Sequence, residues 1–184
     1  MKRGSLRALF LNELRDLYDG EIWLTKVLPD LAMAVHSQEL RATVNQHLKE
    51  TQEQLNRIEK IFAHLGENPK GKRCKGMQSL VMECRYAMGE DFEEEARDIS
   101  LISEMQRVKH YEVATYRIAV VFANLLRDNE SAALLRLTLR EEEEGNLNFV
   151  RLAENIYVEA DMSPGLSAVR EITEMNRTTE AAKA

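Results

Sequence analysis

The segment "LREEEEGNLNF" sets four consecutive glutamates, Glu141 to Glu144, between apolar residues. A short acidic run on a helix is ordinarily a solvated face. A helix turns by about 100° per residue, however, so four successive side chains cannot all share one exposure. Glu142 falls on the stripe of Leu135, Thr138, Phe149, Ala153 and Ile156 and should face a core. Glu144 lines up with Asn148 and Arg151 and should face water, while Glu141 and Glu143 flank Glu142 and stay open. The same arithmetic turns Glu21 inward with Phe10, Leu14, Leu17 and Leu28, and Glu112 with Leu101, Met105, Val108 and Ala119. His47 lies on the stripe of Leu40, Val44, Thr51, Ile58 and Leu65. Glu50, at the edge of that face, stands three residues on, close enough to His47 to share one ion.

An unpaired buried carboxylate is costly, and its usual escapes are neutralisation, pairing or a metal. Glu21 and Glu50 are 29 residues apart and Glu112 and Glu142 are 30 apart, so each pair can meet across one helical hairpin. Carboxylate-bridged two-metal sites are built that way between facing helices. The expected metal ligands are therefore Glu21, His47, Glu50, Glu112 and Glu142. An oxygen-rich set with one imidazole suits two iron or manganese ions better than zinc. His36 and His64 sit near helix ends, and His110, on a flank with Gln106 and Arg117, points away from Glu112. Tyr18 and Tyr111 lie near the proposed ligands and read first as packing aromatics.

The elements that must position these residues follow from apolar recurrence at three and four. A first helix spans Leu6 to about Val35, with Pro29 kinking it rather than ending it. Ser37 caps a second helix that runs to about Leu65, where Gly66 and Pro69 stop it. A short connector helix covers about Met77 to Met88. Asp91, with Glu94 as its capping-box partner, opens a third long helix to about Leu126. After the turn "RDNES", a fourth runs from about Ala132 to Glu159. No segment alternates like a strand. The fold expected is all-α: a four-helix bundle of two long hairpins with an extra short helix in the connection. Residues 1–160 form the bundle and 161–184 a polar tail.

At 184 residues the chain suits one domain. A net charge of −6 without a long basic block argues against nucleic acid as a partner. No apolar run reaches membrane length, and no signal peptide is expected, which places the protein in the cytoplasm. Cys74 and Cys84 have no metal-finger spacing and read as ordinary reduced thiols. A hydrophobic content of 44% leaves more apolar helix face than one four-helix core needs, so a homodimer is expected.

The segments "LFLNELRDLYDGEIWLTKVLPDLA", "LRATVNQHLKETQEQLNRIEKIF", "KGKRCKGMQSL", "QRVKHYEVATY" and "LLRLTLREEEE" run in order from about Leu6 to Ala153. Through them the chain resembles the bacterial YciE/YciF-type ferritin-like family. The resemblance implies a ferritin-like core with an extra helix in the connector, commonly a dimer, with a di-metal site and a link to bacterial stress. It carries Glu21, His47, Glu50, Glu112 and the Glu141–Glu142 pair onto the family's polar core positions. The usual ferritin-like Glu-x-x-His order is inverted here to His-x-x-Glu, and the last long helix offers no histidine.

Position 109 departs from the resemblance: the family pattern reads Glu-His-Tyr-Glu, and this chain has Lys109-His110-Tyr111-Glu112. Lys109 shares its stripe with Ile102, Val113, Tyr116 and Val120, one turn from Glu112. Its ammonium either pairs with Glu112 in the place of a cation, or snorkels to solvent. Two functions follow. One is a ferritin-like iron or manganese protein of the stress response, handling peroxide, dioxygen or iron. The other is a metal-free helical bundle serving as a structural or protein-interaction module.

Overall fold

A computed structural model describes residues 5–161. Five helices appear in it: α1 (Leu6–Ala34), α2 (Gln38–Leu65), α3 (Lys75–Gly89), α4 (Glu94–Leu125) and α5 (Asn129–Asp161). There is no strand among the described residues. α1 and α2 form one hairpin, α4 and α5 the other, and α2 packs on α5 while α1 packs on α4. The four long helices thus close a bundle, and α3 lies outside it against α1 and α4. The tail expected beyond residue 161 lies outside the described residues.

The boundaries have local causes. The Ser5 hydroxyl accepts from the Ala8 amide and starts α1, which continues through Pro29. Ser37 caps α2 by accepting from Leu40 N at 3.3 Å, and Gly66, at φ +65°, ends it in the left-handed conformation that glycine adopts freely. The buried Asp98 of α4 holds the α1–α2 turn, accepting the His36 amide at 2.8 Å and the Ser37 amide at 2.6 Å. The start of α4 differs from expectation. Asp91 is not its cap; the helix begins at Glu94 after Glu93, with no side-chain cap bond. Arg97 instead donates to the carbonyls of Glu90 and Phe92, and Glu94 and Glu95 complement the positive helix end.

Two apolar clusters make the core. One joins Leu24, Val27, Leu28, Leu31, Leu40, Val44, Leu101, Met105, Val108, Phe149, Leu152 and Ile156, with Met77, Val81 and Cys84 of α3. The other joins Phe10, Leu11, Leu14, Leu17, Tyr18, Ile58, Ile61, Phe62, Tyr116, Ala119, Val120, Ala123, Ala132 and Leu135. Between them, every long helix contributes buried polar residues: Glu21 from α1, His47, Thr51 and Gln54 from α2, Lys109 and Glu112 from α4, Thr138 and Glu142 from α5. The bundle therefore contains a polar band between two apolar halves.

Candidate metal centre

Of the four glutamates in a row, only Glu142 is fully buried. Glu141 is half-buried and held by Arg57 of α2 through two bonds of 2.5 and 2.7 Å. Glu143 pairs with Arg117 at 2.6 Å, and Glu144 is exposed. Their side chains fan out as a helix requires.

Glu142 meets His47 and Glu112 inside the bundle. One ligand atom from each of the three lies within 4.8 Å of the others, an arrangement compatible with holding a metal ion. Glu21 is equally buried, and Tyr116 donates its hydroxyl to Glu21 Oε1. Gln54 completes the surround, donating to Glu142 Oε1 at 2.6 Å and to Glu141 Oε2 at 3.2 Å.

Lys109 sits among them with no solvent exposure. Its Nζ lies 2.5 Å from Glu142 Oε2 and 3.5 Å from Glu112 Oε2. The ammonium therefore does not snorkel, and Glu142, rather than Glu112, is its closer partner. The stem passes Gly145 of α5, where a Cβ would stand 3.3 Å from Lys109 Cε. A mid-helix glycine costs about 1 kcal/mol relative to alanine; here it leaves the room that the lysine occupies.

Protonation follows from burial and from that ammonium. Burial alone would raise Glu142, but Lys109 overcomes it and holds the carboxyl down at about 2. Burial pushes Lys109 down, and the Glu112 and Glu142 carboxyls more than offset it, so it stays charged. Glu21 is raised by burial and then by the Glu142 charge to about 8, against the opposing pull of its Tyr116 bond and of Lys109. Glu112 is raised by the same two causes. His47 is lowered to about 3 by burial and by Lys109. With the imidazole held neutral, the 3.7 Å approach of His47 Nε2 to Glu112 Oε2 is not an ion pair. The tightest ion pair of the band is Lys109 with Glu142, at 2.5 Å.

That arrangement leaves polar atoms unmatched. Glu21 Oε2, both ring nitrogens of His47 and both oxygens of Glu112 are buried without a hydrogen-bond partner. Two carboxylates and an imidazole, as in the His47, Glu112 and Glu142 group, are donors of a chemistry that suits a divalent ion. One oxygen of Glu142 is already taken by Lys109, at 2.5 Å.

Glu50 is not brought into the cluster. It is half-buried, accepts from Gln46 Nε2 at 2.8 Å, and lines a surface cleft. Three residues past His47, it is rotated about 60° off that stripe, which carries it to the mouth instead of the centre. Tyr18 donates to Glu59, and Tyr111 donates to Asp16 and meets Cys74 Sγ, so neither bonds to the cluster. Tyr116, Gln54 and Arg57 were missed by the sequence reading. Gln54, seven residues after His47 on the same stripe, carried the signal of a polar residue facing a core; Arg57 carried none. Both cysteines are free and buried. No described helix is long and apolar enough to cross a membrane.

A family profile described as a domain of unknown function, DUF892, matches residues 5–161. The chain is 33% identical to Protein YciF of Escherichia coli (strain K12) over 157 residues, 84% of this chain and 94% of YciF. The crystal structure of that stress protein superposes with a TM-score of 0.81 at 32% identity, covering 85% of this chain and 98% of that one. YcfI from Rhodopseudomonas palustris superposes at 0.77 with 30% identity, covering 81% and 96%. A dodecameric thioferritin from Bacteroides fragilis, 15% identical, shares the fold with a TM-score of 0.67, covering 85% and 90%.

Proposed function

Because the chain belongs to the YciF-type ferritin-like family described as DUF892, we propose that it is a bacterial stress protein whose carboxylate centre holds one divalent iron or manganese ion, with Lys109 standing for the second. The observation that carries this is the buried ammonium 2.5 Å from Glu142, beside donors left unmatched on His47, Glu112 and Glu21. Charge supports the count. Three buried carboxylates less one ammonium leave two negative charges, the charge of one divalent ion. Exchanging the family's glutamate for lysine changes the site by two units, which compensates the loss of one such ion. Glu21, His47 and Glu112 would hold the metal, with Glu142 shared between it and Lys109.

When bound, the ion supplies a Lewis acid and a one-electron redox partner. Around it, Tyr116 orients Glu21, Gln54 and Lys109 orient Glu142, and the two apolar halves exclude water. Two-electron reduction of peroxide or dioxygen by a metal pair would need the position that Lys109 fills, so binding the ion is the function favoured here. We also infer a homodimer: Ile118, Val121 and Leu125 leave an exposed apolar stripe on α4.

A metal-free structural or interaction module is the second reading, favoured by the self-neutralised Lys109–Glu142 pair. Anaerobic reconstitution with Fe2+ or Mn2+ followed by elemental analysis separates them. About one ion per chain is expected, rising to about two in Lys109→Glu, with oxidase activity gained there. No metal in the unaltered protein would establish the second reading.

A further inference from the structure

A surface cleft of about 340 Å³ opens between α2 and α5. His47 and Lys109 line it, although they are only 2% and 0% exposed, so they are its floor. Glu39 and Glu50 of α2 and Glu144 of α5 stand on its rim, and none of the three is in an ion pair among the described residues. Glu141 also reaches the cleft, but Arg57 compensates its charge. The apolar halves close the polar band above and below. An acidic rim alone would be ordinary helix surface. Here it surrounds a buried imidazole with neither nitrogen hydrogen-bonded.

We infer that this cleft is the loading port of the centre: a hydrated divalent cation is drawn in by Glu39, Glu50 and Glu144, sheds water along the cleft, and is passed to His47. The inference rests on the one-ion reading above. It gives Glu50 a role its position allows, that of recruiting the cation three residues outward from the imidazole that receives it. It also gives Gly145 a second one. A side chain there would narrow the passage that ends at Lys109, against which it already packs. Clefts lined by one sign of charge raise the local concentration of the opposite ion and its entry rate, and salt screens the effect.

The test is stopped-flow uptake of Mn2+ by the full chain, followed with a dye that reports the free ion, at low and high salt. Glu50→Gln/Glu144→Gln should load about tenfold more slowly at low salt, reach the same final stoichiometry, and lose most of the salt dependence. Asp30→Asn/Glu83→Gln removes two exposed charges on α1 and α3 that do not line the cleft, and should load like the unaltered protein. Ala42→Phe, which narrows the cleft without touching charge, should slow loading at both salt concentrations. Equal rates in all four proteins would overturn the port and leave the one-ion site standing. A lower final stoichiometry in Glu50→Gln/Glu144→Gln would make these residues ligands and overturn it too. No uptake by the unaltered protein would overturn port and site together.

Discussion

Lys109 decides the character of the centre, because a lysine without solvent must be matched by charge or lose its proton. Its match is Glu142 at 2.5 Å. Breaking a buried pair by removing one partner costs about 3–5 kcal/mol, since the other charge is left unpaired. In the presence of a chelator, Lys109→Met should therefore lower the unfolding free energy by about that amount. Lys109→Met/Glu142→Gln should recover most of the loss, because the stranded charge is gone. Unchanged stability in Lys109→Met, read by urea unfolding, would mean that the ammonium is not committed to Glu142. The stripe arithmetic that turned Glu21, His47, Glu112 and Glu142 inward needed only the helical period, and all four are buried. It placed the Lys109 stem in apolar company as well. It did not show that Lys109 prefers Glu142 to Glu112. The first partner lies 33 residues away on another helix, and only the packing of α4 on α5 brings it within reach.

At the scale of elements, the long helices were legible because caps, glycines and apolar period agree, as at Ser37 and Gly66. Where α4 begins was not. Asp91 and Glu94 satisfy the spacing of a capping box, but residues 91–93 take no helical turn, and Arg97 binds the preceding carbonyls instead. The docking of α3 was also hidden, since it depends on two residues far apart in sequence. A Cβ on Gly76 would meet Tyr111 at 2.7–2.9 Å, at ring atoms and a hydroxyl that bonds to Asp16 and Cys74. The glycine thus lets Tyr111 lie across the first turn of α3 and reach Asp16 at 2.9 Å and Cys74 at 3.1 Å. Gly76→Ala gains about 1 kcal/mol of helix propensity but overpacks this contact, at about 1–3 kcal/mol, and strains the Tyr111 bonds. A net loss of stability is expected, with faster amide exchange in residues 75–89 and unchanged exchange in α2. Equal or greater stability would show that α3 is not held by this contact.

The whole molecule has two consequences to offer, one at its surface and one in its core. The α4 stripe of Ile118, Val121 and Leu125 is 38–64% exposed, and the homodimer proposed above would cover it with a second copy. Light scattering at micromolar concentration should read two chains, and Val121→Asp should read one; a monomeric unaltered protein would dismiss the dimer. In the core, the polar band links stability to pH. Glu21 is raised to about 8 by burial and by Glu142, and Glu112 is raised with it. In the unfolded chain a glutamate titrates at about 4.3. Between about pH 6.5 and 8 the folded metal-free protein keeps protons that the unfolded chain has released, so its stability falls as pH rises through that window; below it His47, lowered to about 3, adds the opposite slope, because the unfolded imidazole binds a proton that the folded one has lost. Asp16 and Asp128 are lowered, Asp16 against its burial by Lys72 and Asp128 by the Ser131 bonds. Their contribution is complete above about pH 4 and is lost only in more acidic solution, so they do not offset the trend. The melting temperature of chelator-treated protein should thus be higher at about pH 6.5 than at about pH 8. A bound divalent ion takes the place of those protons and favours the ionised carboxyls, so adding Mn2+ should flatten or reverse the slope, most of all at pH 8. A flat profile without metal would show that Glu21 and Glu112 are already ionised in the folded protein before any ion binds.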